Sequence, residues 1–171
     1  VYIGNFISGI EEAVNNAEHR GAAAGDVLAL TSATDMAKSK DATAEEEGLA
    51  QAYASAAVVT TNGDTVTSCY IDAVQANVNF DAAGKITTDL TTVPATKNAL
   101  GDEYGMKKAS TIGKEWNEQM ASFCEYVTGK TADEIKGIAV NEETAPTDAD
   151  LAASVTVKIG SYIELVTAAF N

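Results

Sequence analysis

The sequence predicts an α+β fold: an antiparallel β meander packed by two longer helices, with an N-terminal helix repeating the C-terminal one. Three observations predict it. Two β-rich runs, "AYASAAVVT" and "TVTSCYIDA", flank "TNGD", and Asn-Gly between such runs is the strongest short hairpin cue. Two later stretches, 110–128 and 150–170, repeat apolar residues at helical spacing. Finally, Val1-Tyr2-Ile3-Gly4-Asn5-Phe6-Ile7 matches Val157-Lys158-Ile159-Gly160-Ser161-Tyr162-Ile163, and the register continues with Ile10 over Val166 and Ala13 over Ala169.

Taken in order, residues 1–19 place Ile3, Phe6, Ile7, Ile10, Val14 and Ala17 on one helical face. "GAAAG" (21–25) ends that helix, and "DVLALTS" (26–32) reads as a strand. Residues 35–48 are polar and read as a loop with a helical turn at Ala44–Glu47. The hairpin then places Asn62-Gly63 at the centre of a type I′ turn, with Thr65, Thr67, Cys69, Ile71 and Ala73 sharing one face. A third strand, 74–80, alternates Val74, Ala76, Val78 and Phe80 with Gln75, Asn77 and Asn79, and "KITTDL" is placed to pair back.

Residues 91–109 are a long connection. The helix after it carries Ile112, Trp116, Met120, Phe123 and Val127, with Ser110 as N-cap and Gly129 as its stop. Thr131 and Glu134 form a capping box for a short helix, and Thr147 with Asp150 repeats the device. From there Leu151, Val155, Ile159, Tyr162, Val166 and Ala169 hold one helical register, outweighing the β-branched alternation of "VTVKI". Residues 1–20 are thus a repeat-like helix for contact between units, and 21–171 a single α+β domain.

Composition bounds the function. With 171 residues the chain can bury about two thirds of its unfolded surface. Its net charge of −14, from 25 acidic against 11 basic residues, argues against nucleic acid and anionic membrane surfaces, which call for clustered Lys and Arg. No apolar run approaches the roughly 20 residues of a membrane span. The first residue is Val, which points to a processed or excised piece, most simply by secretion and cleavage. Cys69 and Cys124 can form one bridge, although two buried thiols are the simpler expectation.

Catalytic chemistry is sparse. The lone His19 sits near a helix end and has no second histidine to complete a Ser-His-Asp or zinc site. "TGKT" (128–131) ends like a phosphate loop, but Cys124 stands where its first glycine belongs and a helix precedes it. Glu45-Glu46-Glu47 and Glu142-Glu143 read as solvated carboxylates, and Asp148 and Asp150 as a helix start; no calcium-loop pattern is present. Trp116, Tyr104 and Tyr126 are able to line a pocket, although a tryptophan on such a stripe is a core residue first.

"AKSKDATAEEEGLAQ", "NFDAAGKITTDL", "LGDEYGMKKASTIGKEWNEQ", "GKTADEI" and "DLAASVTVKIG" resemble a recurrent domain of secreted or lipid-anchored proteins of anaerobic Gram-positive bacteria. The resemblance covers roughly residues 37–171 and implies an extracellular location and tandem repetition. The β part is also similar in outline to extracellular FMN-binding-like domains, around Gly84-Lys85-Ile86. Of their flavin-attachment motif only "TSAT" (31–34) is echoed.

Together these readings lead to an expectation. The chain is a non-enzymatic, extracellular or cell-surface structural module without cofactor, whose partners are copies of itself. Ile3, Phe6, Ile7 and Ile10 are its assembly anchors. The alternative is an extracellular flavin-binding or electron-transfer module.

Overall fold

The structure, a computed structural model, describes residues 3–170. Three strands, β1 (Val27–Asp35), β2 (Gly48–Asn62) and β3 (Thr65–Phe80), form an antiparallel sheet in the order β1-β2-β3. This is the expected meander, but its strands are drawn differently. The runs 65–73 and 74–80 are one continuous strand of 16 residues, because neither glycine nor proline interrupts the alternation between them. "KITTDL" pairs back through one bridge, between Phe80 and Ile86, and a hydrogen bond from Asn79 N–H to Thr88 Oγ1.

The hairpin turn lies one residue later than the sequence suggests. Asn62 pairs with Thr65, so Gly63 and Asp64 are the central residues. Gly63 has φ 58°, whereas Asp64 is not left-handed, since among the described non-glycine residues only Thr144 has positive φ. Glycine at the first central position is the type II′ requirement, not that of type I′. A bulge follows: Thr60 pairs with Ser68 but Thr61 with Val66, leaving Thr67 extra. One extra residue exchanges the faces of a strand. Val66, instead of Thr65 or Thr67, therefore joins Cys69, Ile71 and Ala73 in the core. The freed Thr67 hydroxyl donates to Asp26 Oδ2 at 2.6 Å, tying the chain before β1 to the sheet.

Six α-helices, α1 (Gly4–Asn15), α2 (Lys97–Leu100), α3 (Trp116–Val127), α4 (Ala132–Lys136), α5 (Ala149–Ala152) and α6 (Gly160–Ala168), and two short 3-10 helices, Gly101–Tyr104 and Met106–Lys108, complete the elements of the described chain. The expected N-terminal helix is thus shorter than 1–19, and Val1 and Tyr2 lie outside the described residues. Ala44–Glu47 is not a helical turn; Thr43 Oγ1 accepts from the N–H groups of Glu45 and Glu46 instead. Helix α3 starts after Glu115, not Ser110. The Glu115 N–H donates to Glu118 Oε2 at 2.7 Å, while its own carboxylate accepts from Met106 and Lys107 N–H. Helix α4 carries the predicted capping box of Thr131 and Glu134.

The expected helix 150–170 is broken in two. Asp148, not Thr147, caps α5, accepting from Asp150 and Leu151 N–H. Beyond α5 the "VTVKI" segment is neither helix nor strand. Gln119 Oε1 accepts from Thr156 N–H at 2.8 Å and Val157 N–H at 3.2 Å, and Ile159 N–H donates to the Thr144 carbonyl at 2.8 Å. These bonds satisfy backbone groups that a helix would have paired internally. The chain becomes helical again at Gly160, where a Cβ would lie 3.0 Å from Thr144 carbons.

Helix α3 packs on β3, and α6 on β1, β2 and α4. Trp116, Met120, Phe123 and Val127 of α3 are buried, while Ile112 lies ahead of the helix. Leu151, Val155, Ile159, Tyr162, Val166 and Ala169 are all buried despite the helix break. Helices α3 and α6 cover one face of the sheet. Ala29 packs against the core and the Thr31 hydroxyl donates to the Leu165 carbonyl, so the alternating Leu28 and Leu30 point to the opposite face, where Arg20 lies over Tyr70 and Thr60 and Ser68 are buried but Leu28 and Leu30 stay exposed.

Candidate functional site

Two features stand out, one on the surface and one inside. The first is the apolar stripe of α1. Ile3, Phe6, Ile7 and Ile10 are 56%, 69%, 49% and 65% exposed. Burying side chains of this kind is worth about 1.5–3 kcal/mol each, so the stripe is a large uncovered apolar surface. The sheet face turned away from α3 and α6 bears another: Leu28, Leu30 and Val58 are all exposed there. Leu30 pairs with Val58, and Val58 with Tyr70, so these residues adjoin on one face. The structure sets Phe6, Ile7 and Ile10 on α1 and Ile3 immediately before it.

The second feature is a cavity of about 670 Å³ on the helix-covered side of the sheet. Its floor comes from Gln51 and Tyr53 on β2 and Gln75 on β3, and its walls include Tyr104, Trp116 and Tyr162. Helix α2, capped by the Thr96 hydroxyl, delivers Lys97 into it. Lys97 is only 6% exposed. Its Nζ donates to Tyr53 Oη at 3.0 Å, and lies 4.6 Å from the ring centres of Tyr53 and Tyr104 and 5.0 Å from that of Trp116. Tyr53 and Tyr162 share a 2.7 Å hydroxyl hydrogen bond. No carboxylate lies within ion-pair distance of Lys97 among the described residues.

The surroundings set the ionisation of these groups. Burial, helped by Lys38, pushes Lys97 down to about 8, with Asp72 opposing. Burial and the neighbouring Tyr162 hold the Tyr53 phenol well above its usual range. Burial likewise raises Tyr104 and Tyr162.

Of the aromatic trio suggested by the sequence, Trp116 and Tyr104 meet at this cavity, whereas Tyr126 lies elsewhere, under Lys130. The sequence reading missed Lys97, Tyr53 and Tyr162. Lys97 sits in the unpatterned connection 91–109, and no periodicity marks it. The other motifs stay apart. Thr31 of "TSAT" bonds within the fold and Thr34 is exposed. "TGKT" spans the end of α3 and the cap of α4. Cys69 and Cys124 are buried free thiols, and their mutual hydrogen bond, with burial, raises Cys69. Among the described residues no group of three His, Cys, Asp or Glu is placed to hold a metal ion, and no helix is long and apolar enough to cross a membrane.

No family model matches the chain, and no solved structure matches it. A chlorophenol reductase from Desulfitobacterium hafniense is 51% identical over 41 residues, which is 24% of this chain and 12% of that protein. The chain thus matches only about an eighth of the reductase's length.

Proposed function

We propose that the chain is a non-enzymatic structural module of an extracellular or cell-surface assembly, in which α1 of one copy docks on the next copy. One observation carries the reading. The α1 stripe is exposed, whereas its matched positions Ile159, Tyr162 and Val166 are 0%, 4% and 0% exposed. The two helices also start alike. Ile3 and Ile159 precede them with φ/ψ of −109°/6° and −104°/−2°, and each accepts at its carbonyl from the residue four later. A segment with the sequence and start of a core helix, but with its stripe in water, is a helix separated from its groove.

The occupant we assign is a second copy, at Leu28, Leu30 and Val58. These residues lie on the same strands that α6 covers from the other side. A docked α1 would complete a helix–sheet–helix sandwich, the usual way to bury both faces of a sheet. The contact is heterologous, helix to sheet, so repetition gives a chain or filament unless rotation closes it. The extracellular setting rests on the resemblance to secreted domains. Sedimentation velocity over a concentration series tests the reading: the chain should associate, and Ile3→Asp with Ile7→Asp should leave a folded monomer. Association that survives the double substitution rules it out.

A second reading, a flavin-binding or electron-transfer module, is favoured by the short match to a protein named as a reductase. Flavin absorbance bands in the purified protein would support it, and a colourless protein that takes up no flavin would count against it.

A further inference from the structure

We propose that the cavity around Lys97 is a binding site for a planar organic monoanion, an aromatic carboxylate, whose carboxylate pairs with the Lys97 ammonium. Burying a charge is costly unless a counter-charge or hydrogen bonds compensate it. Lys97 has one phenolic acceptor and three ring faces, but no carboxylate in ion-pair reach among the described residues. An ammonium offers three donors, so part of its capacity is left for a ligand. The volume suits a small molecule, since such pockets span about 300–1,000 Å³.

Charge points the same way. The lining holds three lysines, Lys38, Lys97 and Lys158, against one carboxylate, Asp35. The chain as a whole carries −14. A cationic hollow in so acidic a molecule repels cations locally and selects an anion. Lys158 is already paired with Glu143 at 3.0 Å, which leaves Lys38 and Lys97 against Asp35, a surplus of positive charge facing the hollow. The aromatic walls favour a flat, apolar body, and Gln51, Gln75 and Ser161 offer polar edges.

Nothing here suggests turnover. Tyr53 and Tyr162 bond to each other, and their phenols resist ionisation, so neither is poised as a base. The site binds and orients.

Calorimetry on the intact chain with 2-naphthoate and its neutral isostere 2-naphthamide tests this, with the single Trp116 reporting occupancy by fluorescence. The carboxylate should bind at least about tenfold more tightly than the amide, in keeping with a charge-assisted hydrogen bond in a desolvated site. Lys97→Met should erase that preference while leaving weak binding of both compounds. Lys97→Gln serves the same purpose if the methionine variant fails to fold. Equal affinities in the natural protein, no binding of either compound, or a preference that survives loss of Lys97 would each overturn the proposal.

Discussion

Gln119 shows how one side chain decides the path of a distant segment. It is fully buried. Its Oε1 accepts from Thr156 and Val157, and its Nε2 donates to Ser110 Oγ and the Lys114 carbonyl. Gln119→Met keeps the volume but removes the acceptor of the Thr156 and Val157 N–H groups and the donor to Ser110 Oγ and the Lys114 carbonyl, at up to about 1–3 kcal/mol per group. Urea unfolding should therefore show a loss of about 2–4 kcal/mol, and a loss below about 1 kcal/mol would contradict this role. Lys97 makes the complementary case. Its pKa falls to about 8 in the fold, below about 10.4 in an unfolded chain. Between those values the unfolded state binds more protons, so this lysine's contribution to stability rises with pH. Lys38, Tyr53, Asp72, Tyr104 and Tyr162 surround it, and above about pH 8.5 ionisation of the unfolded Cys69 thiol pulls stability the other way. Subtracting Lys97→Met isolates the lysine. The stability of the natural chain relative to that variant should climb between about pH 8 and 10. A pH-independent difference would show that Lys97 is not a strained cation.

At the scale of elements, β1 should be as necessary for assembly as α1. Leu30 is 72% exposed, so Leu30→Glu should barely change the unfolding free energy, by about 0.5 kcal/mol or less. It should nonetheless abolish association in the sedimentation series. Unchanged association would place the docking face elsewhere. Which elements were legible follows from where their information lies. The α3 stripe, the α4 capping box and the hairpin are local patterns, and the sequence carries them within a few residues. The bulge at Thr67 was not legible, because it depends on the fit of β3 against β2. The break in the final helix was hidden too: the side chain that captures "VTVKI" lies 37 residues earlier. Yet Leu151, Val155, Ile159, Tyr162, Val166 and Ala169 are all buried, although not as one helix. The Lys97 cavity gave no signal, since its residues come from six separate stretches and only Trp116 and Tyr104 were marked by type.

For the whole molecule, charge and hydrophobic contact oppose each other. Copies carrying −14 each repel at long range, and the Debye length shortens from about 30 Å at 0.01 M salt to about 8 Å at 0.15 M. Association through the α1 stripe should therefore strengthen as sodium chloride is raised over that range. Weakening would indicate that ion pairs, not apolar contacts, hold the copies together. The central claim, that α1 is covered by another copy, is tested most directly by amide hydrogen exchange of residues 4–15 over a dilution series. We predict protection that grows with protein concentration while β2 and β3 stay unchanged. Protection that is independent of concentration, whether full because α1 folds onto its own sheet or absent because nothing covers it, would contradict the account.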